Sequence, residues 1–152
     1  MVGVRCAMKE SVFFEFKASF PEFGFEGINN AEYLANQLSS TLTKSDVSII
    51  NQGLWKDCGW AMDCEFNDEK ISLFFAKYFD DEEWQFTLEP VNFPNIISRI
   101  FGKKIKPYKN SLKFIATQIF EVLNNSEHVS KLKVCLASNT KLEVNHIEKL
   151  KW

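Results

Sequence analysis

The sequence predicts an α+β domain: a single antiparallel sheet of about four to six strands, with two main helices packed on one face. Three observations predict it. Residues Trp55 to Glu89 alternate apolar and polar side chains in three short runs divided by turn residues. Asn29 to Thr43 and Asn110 to Leu123 repeat apolar residues at helical spacing. The chain also holds 15 Phe, 4 Trp and 3 Tyr, large rings that favour strands and fill a core at low entropy cost.

Taken in order, Ser11 to Ala18 alternates and predicts the first strand. Phe14, Phe16 and Ala18 point one way, and Phe13, Glu15 and Lys17 the other. Pro21, Gly24 and Gly27 then make a loop. Its Phe20, Phe23 and Phe25 are too apolar for water, and folding back on the core outweighs a binding rim. In the first helix, Asn29 followed by Glu32 resembles a capping box. Ile28, Ala31, Leu34, Ala35, Leu38 and Leu42 form its buried stripe. Lys44 to Asp46 is the exit, and Val47 to Ile50 predicts a short strand.

In the meander, Trp60, Met62, Cys64 and Phe66 share a face opposite Ala61, Asp63 and Glu65. Asn67-Asp68 is a turn. Ile71, Leu73 and Phe75 follow, then a second turn at Asp80 to Glu82. Trp84, Phe86 and Leu88 alternate with Gln85, Thr87 and Glu89 until Pro90, which lacks a donor, ends the ladder. Pro94 opens a short helix and Gly102 caps it. The next helix takes Asn110 as its cap and buries Leu112, Ile115, Ala116, Ile119, Val122 and Leu123. Lys131 to Ala137 reads as a late strand, and Leu142, Val144 and Ile147 as a last short strand or helical tail. The expected order is β-α-β-β-β-β-α-α-β.

At 152 residues the chain is expected to form one domain, 1–152, with enough length for its own core. Met8-Lys9-Glu10 reads as a natural start, which makes residues 1–7 an extension. A net charge of −2 argues against a polycation's hold on nucleic acid or anionic lipid. No stretch approaches the ~18 apolar residues of a membrane span. Cys6, Cys58, Cys64 and Cys135 lack CxxC spacing, which points to free thiols in a reducing cytoplasm. The same spacings, with His128 and His146 far along the chain, argue against a metal. No cofactor motif is present.

Charge is unevenly placed. Asp57 to Glu89 holds ten acids against two bases, whereas Arg99 to Lys113 holds six bases and no acid. Asp63 and Glu65, two apart on a strand, project from one side, with Asp57 ahead of them and Asp80, Asp81, Glu82 and Glu83 in a hairpin turn. A solvated sheet face is the plainest meaning of such acids, since antiparallel sheets commonly leave one face in water. Binding a basic partner weighs next, and catalysis or metal binding least. Trp60 and Trp84, with Phe14 and Phe86, offer another reading: an aromatic pocket between sheet and helices for a small molecule or a substrate. A buried core weighs more for tryptophans on such strands. A homo-oligomer held by edge strands or by opposed charged patches is a third reading.

The element Trp55-Lys56-Asp57-Cys58-Gly59-Trp60, then two alternating strands and an acidic turn into Trp84, resembles small bacterial proteins of the mobile gene-cassette and toxin-immunity-like kind. The resemblance spans Trp55 to Glu89 and carries no catalytic residue across. It implies a binding or protective role. The expectation is thus a cytoplasmic, non-enzymatic module, an immunity-type inhibitor, that meets a basic protein through Asp57, Asp63, Glu65, Asp80, Asp81, Glu82 and Glu83.

Overall fold

The computed structural model describes residues 11–21, 30–55, 59–78, 82–91 and 109–152. In them the chain forms β1 (Val12–Ala18), α1 (Asn30–Lys44), β2 (Ser48–Trp55), β3 (Gly59–Phe66), β4 (Glu69–Lys77) and β5 (Glu83–Pro90). It continues with α2 (Lys109–Asn124), β6 (Val129–Leu136), β7 (Asn139–Val144) and one turn of 3-10 helix (Ile147–Lys149). The seven strands make one antiparallel sheet in the order β2-β3-β4-β5-β1-β6-β7.

The α+β class with a single sheet is as expected, but there are seven strands, more than the expected four to six. The added strand is β7, and β2 is longer than expected. The short strand expected at Val47 to Ile50 runs from Ser48 to Trp55 instead, and Val47 lies in the turn before it. The late strand is followed by a tight turn at Ala137-Ser138, which folds Asn139–Val144 back as β7. The expected cap at Asn29, the short helix from Pro94, residues 1–7 and Phe23 and Phe25 lie outside the described residues. Asn110 sits within the first turn of α2 and is not its cap, because the helix begins at Lys109.

Ring pairs across strands set the register. Phe14 lies opposite Phe86, and Phe86 opposite Phe75. Their centroids are 5.7 Å apart, edge to face, and 4.9 Å apart, stacked. Phe16 stacks on Trp84, its partner across β1 and β5, at 6.2 Å. Phe20 closes this end by meeting Trp84 at 5.2 Å, and Trp84 Nε1 donates to the Ala18 carbonyl. Phe20 thus belongs to the core.

Both helices pack on this ring-bearing face. Ala31, Leu34, Ala35, Leu38 and Leu42 are buried on α1, and Leu112, Ile115, Ala116, Ile119, Phe120 and Leu123 on α2. Val122, expected in the stripe, is half-buried beside them. α1 stops in a Schellman arrangement. Asp46 turns left-handed at φ 66, Val47 N donates to Leu42 O, and Asp46 N to Thr43 O. Asn67 and Asp68, at φ 52 and 62, make the two-residue β3–β4 hairpin, a conformation these side chains tolerate better than most.

Gly59 opens β3 opposite Trp55. A Cβ there would lie 2.6 Å from the Phe75 carbonyl oxygen, 2.9 Å from the Ala76 Cβ and 3.2 Å from Trp55 Cε3. The glycine before Trp60 is therefore required by the approach of β4 and the indole. Gly59→Ala should cost about 1–3 kcal/mol through overpacking. A urea-denaturation midpoint equal to that of the parent would contradict this account.

Candidate functional site

Strand alternation that sends Phe14, Phe75 and Phe86 toward the helices sends the intervening residues to the other face. Among the described residues, neither α1 nor α2 covers that face; both join the core cluster on the opposite side. Three rows cross it. One runs Asn51, Asp63, Ser72, Glu89. The second runs Gly53, Ala61, Phe74, Thr87, Phe13, Cys135. The third runs Trp55, Gly59, Ala76, Gln85, Glu15, Lys133.

The middle of the face is apolar and aromatic. Trp55 packs its ring 5.5 Å from that of Phe74. Trp55, Phe74 and Phe13 are each half-buried. Over Gly59, Trp55 forms one end of this band.

The expected site residues divide. Asp63 and Glu65 share the face, as alternation requires, with Glu65 opposite Lys70. Asp63 Oδ1 accepts a 2.7 Å hydrogen bond from Ser72 Oγ, and Ser72 is 7% exposed. Glu89 lies opposite Ser72 on the same face. Glu82 and Glu83 are exposed at the other end of β5, where Glu83 faces Lys17. Six residue steps along the strand separate Glu83 from Glu89, about 20 Å at 3.4 Å per step. The acids therefore form two groups with the aromatic band between them, where the sequence suggested one continuous field. Asp57, Asp80 and Asp81 lie outside the described residues. Glu69 belongs to the opposite strand parity, and its Oε2 is buried with no hydrogen-bond partner.

The expected aromatic pocket is a packed core at three of its four residues. Phe14 and Phe86 are fully buried in mutual contact, and Trp84 is buried among Phe16 and Phe20. Trp60 is half-buried near the sheet edge, where its Nε1 donates to Gln52 Oε1 at 3.1 Å.

A different cavity, of about 510 Å³, opens between the flank of α1 and the end of α2. Phe20, Tyr33, Gln37, Thr41, Glu121 and His128 are among its lining. The His128 ring stands edge-on to Tyr33 at 5.5 Å, and its Nε2 is 3.6 Å from Glu127 Oε1. Sequence reasoning gave Tyr33, Gln37, Thr41 and Glu121 no role, took Phe20 as a core residue and set His128 aside as a metal ligand. The available signal was Tyr33, Gln37 and Thr41, four apart along one flank of the first helix.

Cys64 and Cys135 are buried free thiols. Burial, reinforced by the neighbouring Asp63 carboxylate, pushes Cys64 up to about 12. Burial, with Glu143 and Glu15 adding to it, raises Cys135 as well. Neither has thiolate character at neutral pH. No described helix is long and apolar enough to cross a membrane. No protein-family model matches the chain, and no curated protein matches it.

The Cys64 shift has a sign. The folded state holds the thiol proton more tightly than the unfolded chain, so its contribution to stability is complete below about 9 and is lost as pH rises toward about 12. Urea midpoints measured from pH 8 to 11 should therefore fall more steeply for the parent protein than for Cys64→Ala. Parallel curves would show that Cys64 is not buried as described.

Proposed function

We propose that the protein is a cytoplasmic binding module that presents the sheet face turned away from α1 and α2 to a basic protein, as an immunity-type inhibitor does when it occludes its target. The observation that carries this reading is the arrangement of Trp55, Phe74 and Phe13 between Asp63, Glu65 and Glu89 at one end and Glu82 and Glu83 at the other. Protein interfaces favour such an order, with aromatic anchors at the centre and a polar rim around them. The rim carboxylates would steer a cationic partner and set its orientation, and the aromatic band would supply the desolvated contact.

Glu65 and Glu89 are the residues for the test, because reversing Asp63 would strand the buried Ser72 hydroxyl. The tagged protein should capture a basic protein from its native lysate at low salt and release it at high salt. Against that partner, Glu65→Lys with Glu89→Lys should slow association by about tenfold or more and flatten its salt dependence. An unchanged association rate, or no salt-released basic protein at all, would refute the acidic-face reading.

The cavity beside Tyr33 and His128 favours a second reading, a binding site for a small polar molecule. A hydroxyl, an imidazole and a carboxylate line it together with the Phe20 ring. A ligand that binds only the folded state raises the melting temperature. A thermal-shift screen should then yield compounds whose effect Tyr33→Phe or His128→Ala removes. Stabilisation that survives both changes would place the ligand elsewhere.

A further inference from the structure

Strand β2 is one edge of the sheet. From Ser48 to Trp55 it carries no charged residue and no proline. Ile50 and Leu54 expose 47% and 66% of their surface. An edge strand offers unpaired main-chain donors and acceptors to any strand that arrives, so natural edges are usually guarded by charge, proline, a bulge or a covering element. The guard on β2 is an irregularity at Ile50, between the Ile49–Cys64 and Asn51–Asp63 pairs. From Asn51 to Trp55 the ladder with β3 is unbroken, and the side away from β3 faces no strand among the described residues. The opposite edge differs. β7 carries Lys141 and Glu143, its Glu143 is 3.6 Å from Lys133, and its pairing with β6 shifts register.

We propose that β2 pairs antiparallel with β2 of a second copy of this chain, joining the two sheets edge to edge about a two-fold axis. Charge and symmetry single out this occupant. An uncharged strand meets no like charge when it is paired with itself. Using the same edge on both copies closes the assembly at two, while the charged β7 edge does not extend it into a fibre. A two-fold near Gly53 sets that residue against its own copy and Gln52 against Leu54 of the second chain. A Cβ at Gly53 would meet nothing within 4 Å, so the axis is uncrowded. On the helix side Leu54 lies opposite Trp60, and the pairing covers the patch those two form. Strands of this length bury less than the ~1,200 Å² of a standard interface, the size class of weak and transient contacts.

The inference is independent of the acidic-face reading, and the two tests fail separately. Light scattering coupled to gel filtration, over loading concentrations spanning ~1–500 μM, should show the mass rise from one chain to two. Ile50→Lys with Leu54→Lys should hold the protein at one chain throughout. Leu142→Lys, on the other edge, should dimerise like the parent. Amide exchange read on the parent protein gives a measure free of any substitution: protection across Asn51 to Trp55 should grow with protein concentration. A parent protein that stays at one chain across the range, a double variant that folds and dimerises normally, or β2 exchange indifferent to concentration would overturn the proposal.

Discussion

Phe86 stands between Phe14 and Phe75, one ring on each neighbouring strand, and both contacts are between residues directly opposite each other in the sheet. Such pairs contribute about 0.5–1.5 kcal/mol each beyond the area they bury. Their greater consequence is register. A slip of one residue on β5 would send Trp84, Phe86 and Leu88 to the opposite face and bring Gln85, Thr87 and Glu89 under the helices. The burial of three large apolar side chains, at roughly 1.5–3 kcal/mol apiece, opposes that slip. The neighbouring Phe16–Trp84 stack makes the same choice one pair further along.

Everything on the face turned away from the helices follows from that choice. With the rings facing the helices, Phe74 and Phe13 must face away, and both lie opposite Thr87. Asp63, Ser72 and Glu89 fall into one row for the same reason. The aromatic band is completed from outside the meander, where β2 delivers Trp55 over Gly59. Position β1 between β5 and β6 explains why the acidic character fades across the sheet. Beyond β5 the face alternates sign, with Glu15 opposite Lys133 and Lys17 opposite Glu83.

The strands that could be read from the sequence are those with strict alternation. In Val12–Ala18, Gly59–Phe66 and Glu83–Pro90, large apolar side chains recur at every second position, and the faces assigned from that pattern are the faces observed. Only the start of β2 was legible, as the short strand expected at Val47 to Ile50, because SIINQGLW has no such alternation: it is an edge strand with most of its side chains exposed, so burial imposes little pattern on it. β7 was obscured in the same way by NTKLEV. Asp63 and Glu65 were legible as neighbours on one side because strand geometry alone places them there. The distance between them and Glu82–Glu83 was not, since it depends on how β4 and β5 run between their turns. The Tyr33–His128 cavity depends on residues nearly a hundred positions apart, and no local period reports such a meeting.

The central claim is that the face bearing Asp63, Glu65 and Glu89 is open to a partner. Carbodiimide labelling of carboxylates in the folded protein, read by mass spectrometry at each residue, measures this directly. Glu127, whose side chain is 87% exposed, sets the rate of a free carboxylate, and Glu69, with one oxygen buried, sets the rate of a protected one. Glu65 and Glu89 are half-buried, so an open face predicts that they label more slowly than Glu127 but well faster than Glu69. Labelling as slow as that of Glu69 would mean that the face is covered in the isolated chain, and it would contradict the account.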